Sequence, residues 1–370
     1  MIYCDYNAGA PIRAEASVAL SRALALGGNA SSVHAAGRRA RAMIEDTREK
    51  LAGALEARAE NIVFTSGATE ALHLAMENAG AASLIVSEIE HDAVFEYGLR
   101  RQSRRTPVTF DGCVDIAALD ELLAEASKPA LVAVMLANNE TGAIQPVAKI
   151  AALCREHGAL LLTDAAQAFC RIPVSIAALD ATYLVVSSHK VGGPPGAGAL
   201  VLAPGAPFTT TRFGGGQERG RRPGTENMPA IAGFGAAIEW ATRDMQGEAR
   251  RLAAIRDRFE AGLPEGAVVF GEGSPRLSNT SNFALAGLSA ETAVIALDLE
   301  GVAVSSGAAC SSGKVRASRV LQAMGVAPNL ASCALRVSFG HESKASDADA
   351  CLAALSKLAA RRRVLGKAVP

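Results

Sequence analysis

The chain has 370 residues, with 37 basic and 37 acidic side chains and a formal net charge of zero. That balance gives no electrostatic footprint for nucleic acid and no general attraction to an anionic membrane. Apolar residues make up 49% of the chain, which excludes a disordered protein, and aromatics only 4%, which argues against stacking platforms for single strands. Length sets a prior of two to three domains. No apolar run reaches the roughly 18 residues of a membrane span, and the first residues lack the pattern of a signal peptide. The seven cysteines (4, 113, 154, 170, 310, 333, 351) are scattered and form no CxxC, so free thiols in a reducing compartment, the cytoplasm, are expected.

In chain order, Ile62-Val63-Phe64-Thr65, Leu84-Ile85-Val86, Ala130 to Leu136, Leu160 to Thr163, Tyr183 to Val186 and Ala199 to Leu202 read as buried strands. Between them, Val147, Ile150, Ala151 and Cys154 recur at helical spacing. Alternating strand and helix predict right-handed βαβ units around a mostly parallel sheet. Past Glu226 the pattern shifts. Helices are expected over Asn227 to Arg243, Glu248 to Leu263, Ala290 to Leu299 and Ser346 to Leu358, with strands at Thr280 to Leu285 and Leu335 to Phe339. The fold class is α/β, a large domain with a mostly parallel sheet plus a smaller α+β domain. The expected division is 14–245 for the large domain, and 1–13 with 246–370 for the small one.

Four segments carry chemistry. Lys190, in Ser187-Ser188-His189-Lys190, leaves an apolar strand and enters a Gly/Pro-rich loop. Burial there would favour the neutral, nucleophilic amine, although the segment alone is better explained by a surface lysine. Asp164 also ends a strand, and ligands of α/β sheets sit at the carboxyl ends of strands. A lysine and a carboxylate facing one crevice match the way pyridoxal 5′-phosphate is held, although Asp164 alone could be a helix cap. Thr65 to Glu70, between strand and helix, suits a phosphate at a helix N-terminus, and an ordinary turn explains it equally well. Cys310, in Ser305 to Gly313, stands among small residues as an accessible thiol, whereas Cys154 and Cys170 read as core. His91, the Asn138-Asn139 turn and Arg336 are weaker candidates, for ring stacking or proton transfer, amide donors and a carboxylate clamp respectively.

Taken in order, these segments resemble the NifS/IscS-like cysteine desulfurases of the class V aminotransferase superfamily, which have the type I fold of pyridoxal-phosphate-dependent transferases. The resemblance runs nearly end to end. It includes Asp5 to Ala8, Gly28 to His34, Thr65 to Glu70, Glu90-His91, Asn138 to Gly142, Asp164 to Gln167, Ser188 to Lys190, Gly214 to Gly220, Gly224 to Asn227, Ser305 to Gly313 and Leu335 to Ser338. It implies conversion of L-cysteine to L-alanine, with sulfur passed to an enzyme thiol as a persulfide. Lys190 would hold pyridoxal 5′-phosphate covalently and then act as base. Asp164 would pair with the ring nitrogen, Gln167 would meet the phenolic oxygen, and His91 would stack on the ring. Asn139 would contact cofactor or substrate, and Ala68, Thr69, Ser187 and His189 would bind the phosphate. Thr225 would reach the phosphate site of a second subunit in a homodimer. Arg336 and Asn29 would hold the substrate carboxylate, and Cys310 would accept the sulfur.

The implied partners are a sulfur acceptor or iron–sulfur scaffold protein. The one implied metal contact is Cys310 as a transient cluster ligand; no nucleic acid or membrane is implied. The chain departs from the family pattern at Gly9-Ala10, Ala30, Pro223 and Ala308. A selenocysteine lyase, another class V aminotransferase, or a non-catalytic sulfur-relay protein are the alternative readings.

Overall fold

The structure, a computed structural model, describes residues 1–307 and 318–366. In chain order its elements are β1 (Ile2–Tyr3), α1 (Ala14–Leu26), α2 (Ala35–Leu55), β2 (Ile62–Thr65), α3 (Ala68–Asn78), β3 (Ser83–Ser87), α4 (Asp92–Arg100), β4 (Arg104–Thr106), α5 (Ile116–Ala124), β5 (Ala130–Ala133) and α6 (Val147–Glu156). They continue with β6 (Leu160–Asp164), β7 (Tyr183–Ser187), β8 (Gly198–Leu202), α7 (Met228–Thr242), α8 (Met245–Ala261), β9 (Ala267–Val269), β10 (Thr280–Leu285) and α9 (Ala290–Leu299). The last are β11 (Val302–Ala303), β12 (Ser305–Ser306), α10 (Arg319–Ala323), α11 (Pro328–Ala331), β13 (Ala334–Ser338) and α12 (Ala345–Gly366).

Seven strands form the central sheet in the order β2-β8-β7-β6-β5-β3-β4. All pairings are parallel except the two made by β8, which runs opposite to β2 and β7. The α/β class with a mostly parallel sheet, expected from the sequence, is therefore observed. Two-residue alternation sorts each buried strand between two cores. Val132, Leu184, Val186, Ala199 and Val201 face one core with α1, α2 and α7. Leu131, Tyr183, Val185, Leu200 and Leu202 face the other with α3 and α4. Burial on both faces explains why these strands are unbroken apolar runs.

Because β8 alone is reversed, the carboxyl ends of β2, β3, β5, β6 and β7 all emerge at one edge of the sheet. Gly198, the first residue of β8, sits against the turn after β2: an added Cβ would lie 2.7 Å from Gly67 Cα. Only hydrogen fits there, so the turn that starts α3 is drawn close to the loop that follows Lys190.

The later chain builds an antiparallel sheet, β12-β13-β10-β9, packed on α8, α9 and α12 around Phe259, Phe283 and Phe339. The N-terminus ties this sheet to the first. Strand β1 pairs with β11, Asp5 bridges to Ser338, and the Ala10 amide donates to His189 O at 2.9 Å. That last contact uses backbone atoms only, so Gly9-Ala10 can make it as well as other residues.

Candidate active site

A cavity of about 500 Å³ opens at the edge where the strands end, within the range of about 300–1,000 Å³ usual for small-molecule sites. It gathers ten of the expected residues: Ala68, Thr69, His91, Asn139, Asp164, Gln167, Ser187, His189, Lys190 and Arg336. Asn29 and Thr225 are not among its lining residues. Both are exposed, and the Asn29 carbonyl oxygen Oδ1 accepts from the Ser31 amide at 2.8 Å. Cys310 and Ala308 lie outside the described residues.

The floor comes from strand ends. Asp164 closes β6 and is 7% exposed; its Oδ1 accepts from the Ala166 amide at 2.9 Å. Burial raises its pKa, against the pull of that amide and of His91 and Lys190. His91 caps α4, with Nδ1 accepting from the Ala93 amide at 3.1 Å. An amide can only donate, so the neutral ring carries its proton on Nε2. Burial lowers the pKa of His91 and so keeps it neutral. Lys190 is half-buried, and its Nζ donates to Asn7 O at 2.6 Å and Ala8 O at 2.9 Å. Gln167 Nε2 donates to the same Asn7 oxygen at 2.9 Å.

One end of the cavity is an anion receptor. The first amides of α3 have no acceptor within the helix, and an added Cβ at Gly67 would meet only open space. Ser187 Oγ and His189 Nδ1 lie 3.0 Å apart beside this turn. Burial, with Lys190 nearby, pushes the pKa of His189 down to about 4. Glu70 would repel an anion here but is turned aside. It accepts from the Ser66 amide at 2.7 Å, from Arg212 at 2.8 Å and from Arg222 at 3.0 Å. Against the upward push of burial, Arg222 and the Ser66 amide bring its pKa down to about 2.

Arg336 forms the wall. It is 1% exposed in β13, with Nη1 donating to Asn139 O at 3.0 Å and Nη2 to Asp5 Oδ1 at 2.5 Å. Its Nε is a buried donor with no hydrogen-bond partner among the described residues. A buried guanidinium that lines the cavity and is held by Asp5 and the Asn139 carbonyl is placed to meet a carboxylate ligand.

Sequence reasoning passed over several contributors. Asn7 offers its backbone carbonyl to Lys190 and Gln167, and its side-chain Nδ2 donates to Asn139 O at 3.2 Å. Asp5 pairs with Arg336, and Arg171 braces Asn7 Oδ1 at 3.0 Å. The Asp5 to Ala8 motif marked the segment without assigning these contacts. Burial pushes the pKa of Cys154 and of Cys170 up to about 12, which keeps both as thiols.

These groups fit pyridoxal 5′-phosphate. They supply an amine for its aldehyde, a buried carboxylate for its ring nitrogen, an imidazole for its face and an open glycine turn at a helix start for its phosphate.

Comparison with known proteins gives the family. The aminotransferase class-V family matches residues 2–351. A cysteine desulfurase of Cereibacter sphaeroides is 41% identical, covering 98% of this chain and 97% of the relative. Cysteine desulfurase IscS of Dictyoglomus turgidum is 36% identical, covering 98% and 96% respectively. Among solved structures, the NifS-like protein of Rickettsia africae superposes with a TM-score of 0.90 at 32% identity, over 97% of this chain and 99% of that one. The chain belongs to the class-V aminotransferase family, whose members work with pyridoxal 5′-phosphate, and within it to the NifS/IscS-like cysteine desulfurases.

Proposed function

We propose that the protein converts L-cysteine and an enzyme thiol to L-alanine and an enzyme persulfide. The observation that carries this reading is that Lys190, Asp164, His91 and Arg336, from four separate strands or strand ends, line one cavity.

Pyridoxal 5′-phosphate, when bound, supplies an electron sink for the substrate Cα that no side chain offers. Asp164 holds a proton at the ring nitrogen. His91 covers the ring face, Gln167 turns its amide to the phenolic oxygen, and Asn139 orients cofactor or substrate. Ala68 and Thr69, at the start of α3, bind the phosphate with Ser187 and His189. Arg336 and Asn29 hold the substrate carboxylate. Lys190 Nζ, freed from the carbonyls of Asn7 and Ala8, would hold the cofactor and would serve as the base for the substrate Cα proton. Cys310 Sγ, as thiolate, then forms a bond to the substrate sulfur. The C–S bond breaks with its electron pair kept by the substrate carbon; that carbon and Cα each regain a proton, the latter from Lys190, and alanine leaves. The active unit is a homodimer in which Thr225, exposed on the single chain, reaches the second subunit's phosphate site. The persulfide sulfur passes to an acceptor or iron–sulfur scaffold protein. No helix among the described residues is long and apolar enough to cross a membrane.

The test is direct. Purified protein should be yellow, borohydride should fix the cofactor onto Lys190, and cysteine should yield alanine and sulfide in the presence of a reductant. Cys310→Ala should keep the colour and lose sulfide release. Full turnover by that variant would remove Cys310 from the mechanism.

A further inference from the structure

Arg319 begins α10, two helical elements before β13, yet its side chain reaches the turn between β3 and α4. Nη1 donates to Glu88 O at 2.5 Å, and Nη2 to Glu90 O at 2.6 Å and Asp92 Oδ1 at 3.1 Å. The guanidinium also lies 3.7 Å from the Phe95 ring centroid. The residue enclosed by these contacts is His91. The turn is held from below as well: Glu90 Oε1 accepts from Ser87 Oγ at 2.5 Å and the Met135 amide at 2.8 Å, and Asn138 Nδ2 donates to Ile89 O at 3.0 Å. Arg319 is in turn fixed by its neighbour. Ser318 is 1% exposed, donates to the buried Glu140 Oε2 at 2.5 Å, and caps α10 through the Leu321 amide at 3.0 Å.

Three diverging acceptors and an aromatic face match a planar fork. A lysine ammonium, a point charge on a flexible stem, cannot satisfy them together. Nothing in the chemistry proposed above uses Arg319, which touches no lining group of the cavity except through this turn.

We propose that Arg319 is a positioning residue for His91, setting the angle at which the imidazole stands over the cavity. The inference rests on reading His91 as the group that covers the cofactor ring.

A double-mutant cycle on the holoenzyme tests this. Arg319→Met and Arg319→Lys are made in the parent and in a His91→Ala background, and alanine formation from cysteine is followed. Arg319→Met should lower kcat about tenfold in the parent with little change in KM, and less than about twofold once His91 is gone, the non-additivity expected of two groups acting as a unit. Arg319→Lys should recover only part of the loss. Visible circular dichroism of the bound cofactor should change in the same sense in Arg319→Met and His91→Ala. Equal fold losses in both backgrounds, or a dichroic band unmoved by Arg319→Met, would overturn the assignment. If the methionine variant does not fold, the lysine variant takes its place in the cycle. If the parent forms no alanine from cysteine, the activity reading fails, and the dichroism still decides the role of Arg319.

Discussion

On the seven-stranded side, Asp164, His91 and Lys190 each stand within four residues of the last residue of a buried strand. On the four-stranded side, Arg336 lies inside its strand and is aimed by Asn139 and Asp5, residues 197 and 331 positions away. The floor is therefore set by local chain geometry: a parallel strand delivers whatever follows it to the sheet edge. The wall is set by long-range contacts that hold a charged group in place after folding. Removing a floor residue should delete a chemical step and leave the scaffold intact. Removing a wall contact should change how well substrate is held.

The largest effects test the floor. Lys190→Ala should abolish borohydride fixation of the cofactor and cut alanine formation by at least the about 10²–10⁴-fold that a positioned acid–base group contributes. Asp164→Asn keeps an oxygen for the Ala166 amide but removes the carboxylate, and should retain the fold while reducing kcat by about 10²-fold or more. A kcat left near the parent value in either variant would mean that these strand ends serve structure alone.

A smaller effect tests the wall. Asp5→Asn keeps an acceptor for Arg336 Nη2 and removes the charge that orients the guanidinium, while Asp5→Ala removes both. Expected is a rise in KM for cysteine of about tenfold for Asp5→Ala, about 1.4 kcal/mol, and less for Asp5→Asn, with kcat changing less than KM; the loss is smaller than for a fully buried pair because the Asp5 side chain is partly exposed. A fall in kcat with unchanged KM would show that Asp5 acts on the floor, and the contrast between the two sides would dissolve.

How far the sequence was legible follows the same line. The six central strands read as apolar runs all formed strands, because burial on both faces leaves an unmistakable pattern. Strand β4, Arg104-Arg105-Thr106, was missed because it is a charged edge strand. Helix α1 was missed because its buried face is alanine, Ala16 and Ala23, which gives little apolar contrast; α2 does carry Ile44, Leu51 and Leu55 on its buried face, but they are interspersed with Gly37, Ala40, Thr47 and Arg48. In the site, Asp164 and Lys190 announced themselves by chemical type at strand ends. Asn7 did not, because its chief contribution is a carbonyl oxygen, which every residue has. Asp5 and Arg319 did not because their partners, Arg336 and the residues at 88–92, are remote in sequence.

The smallest effect concerns a group just behind the floor. Glu90 is 1% exposed, and burial pushes its pKa up to about 8, with Asp164 adding to the rise and the Ser87 and Met135 donors and Arg319 opposing it. Its folded form therefore binds more protons than the unfolded chain between the ordinary carboxylate pKa of 4.5 and about 8. The sign follows from linkage: the contribution of the neutral acid is fully present below the unfolded pKa and is lost as pH rises through the folded one. His189 and His341, both lowered to about 4 by burial, have the opposite sign: they favour the fold above their unfolded pKa and lose that stability as pH falls toward 4. Glu90→Gln mimics the neutral acid and can keep Oε1 as acceptor for Ser87 and Met135. Its Tm should match the parent near pH 5 and exceed it by about one degree near pH 8.5, the shift expected from roughly one kcal/mol in a chain this long. A parent advantage that grows with pH would mean instead that Glu90 is ionised in the fold, with Arg319 as its counter-charge.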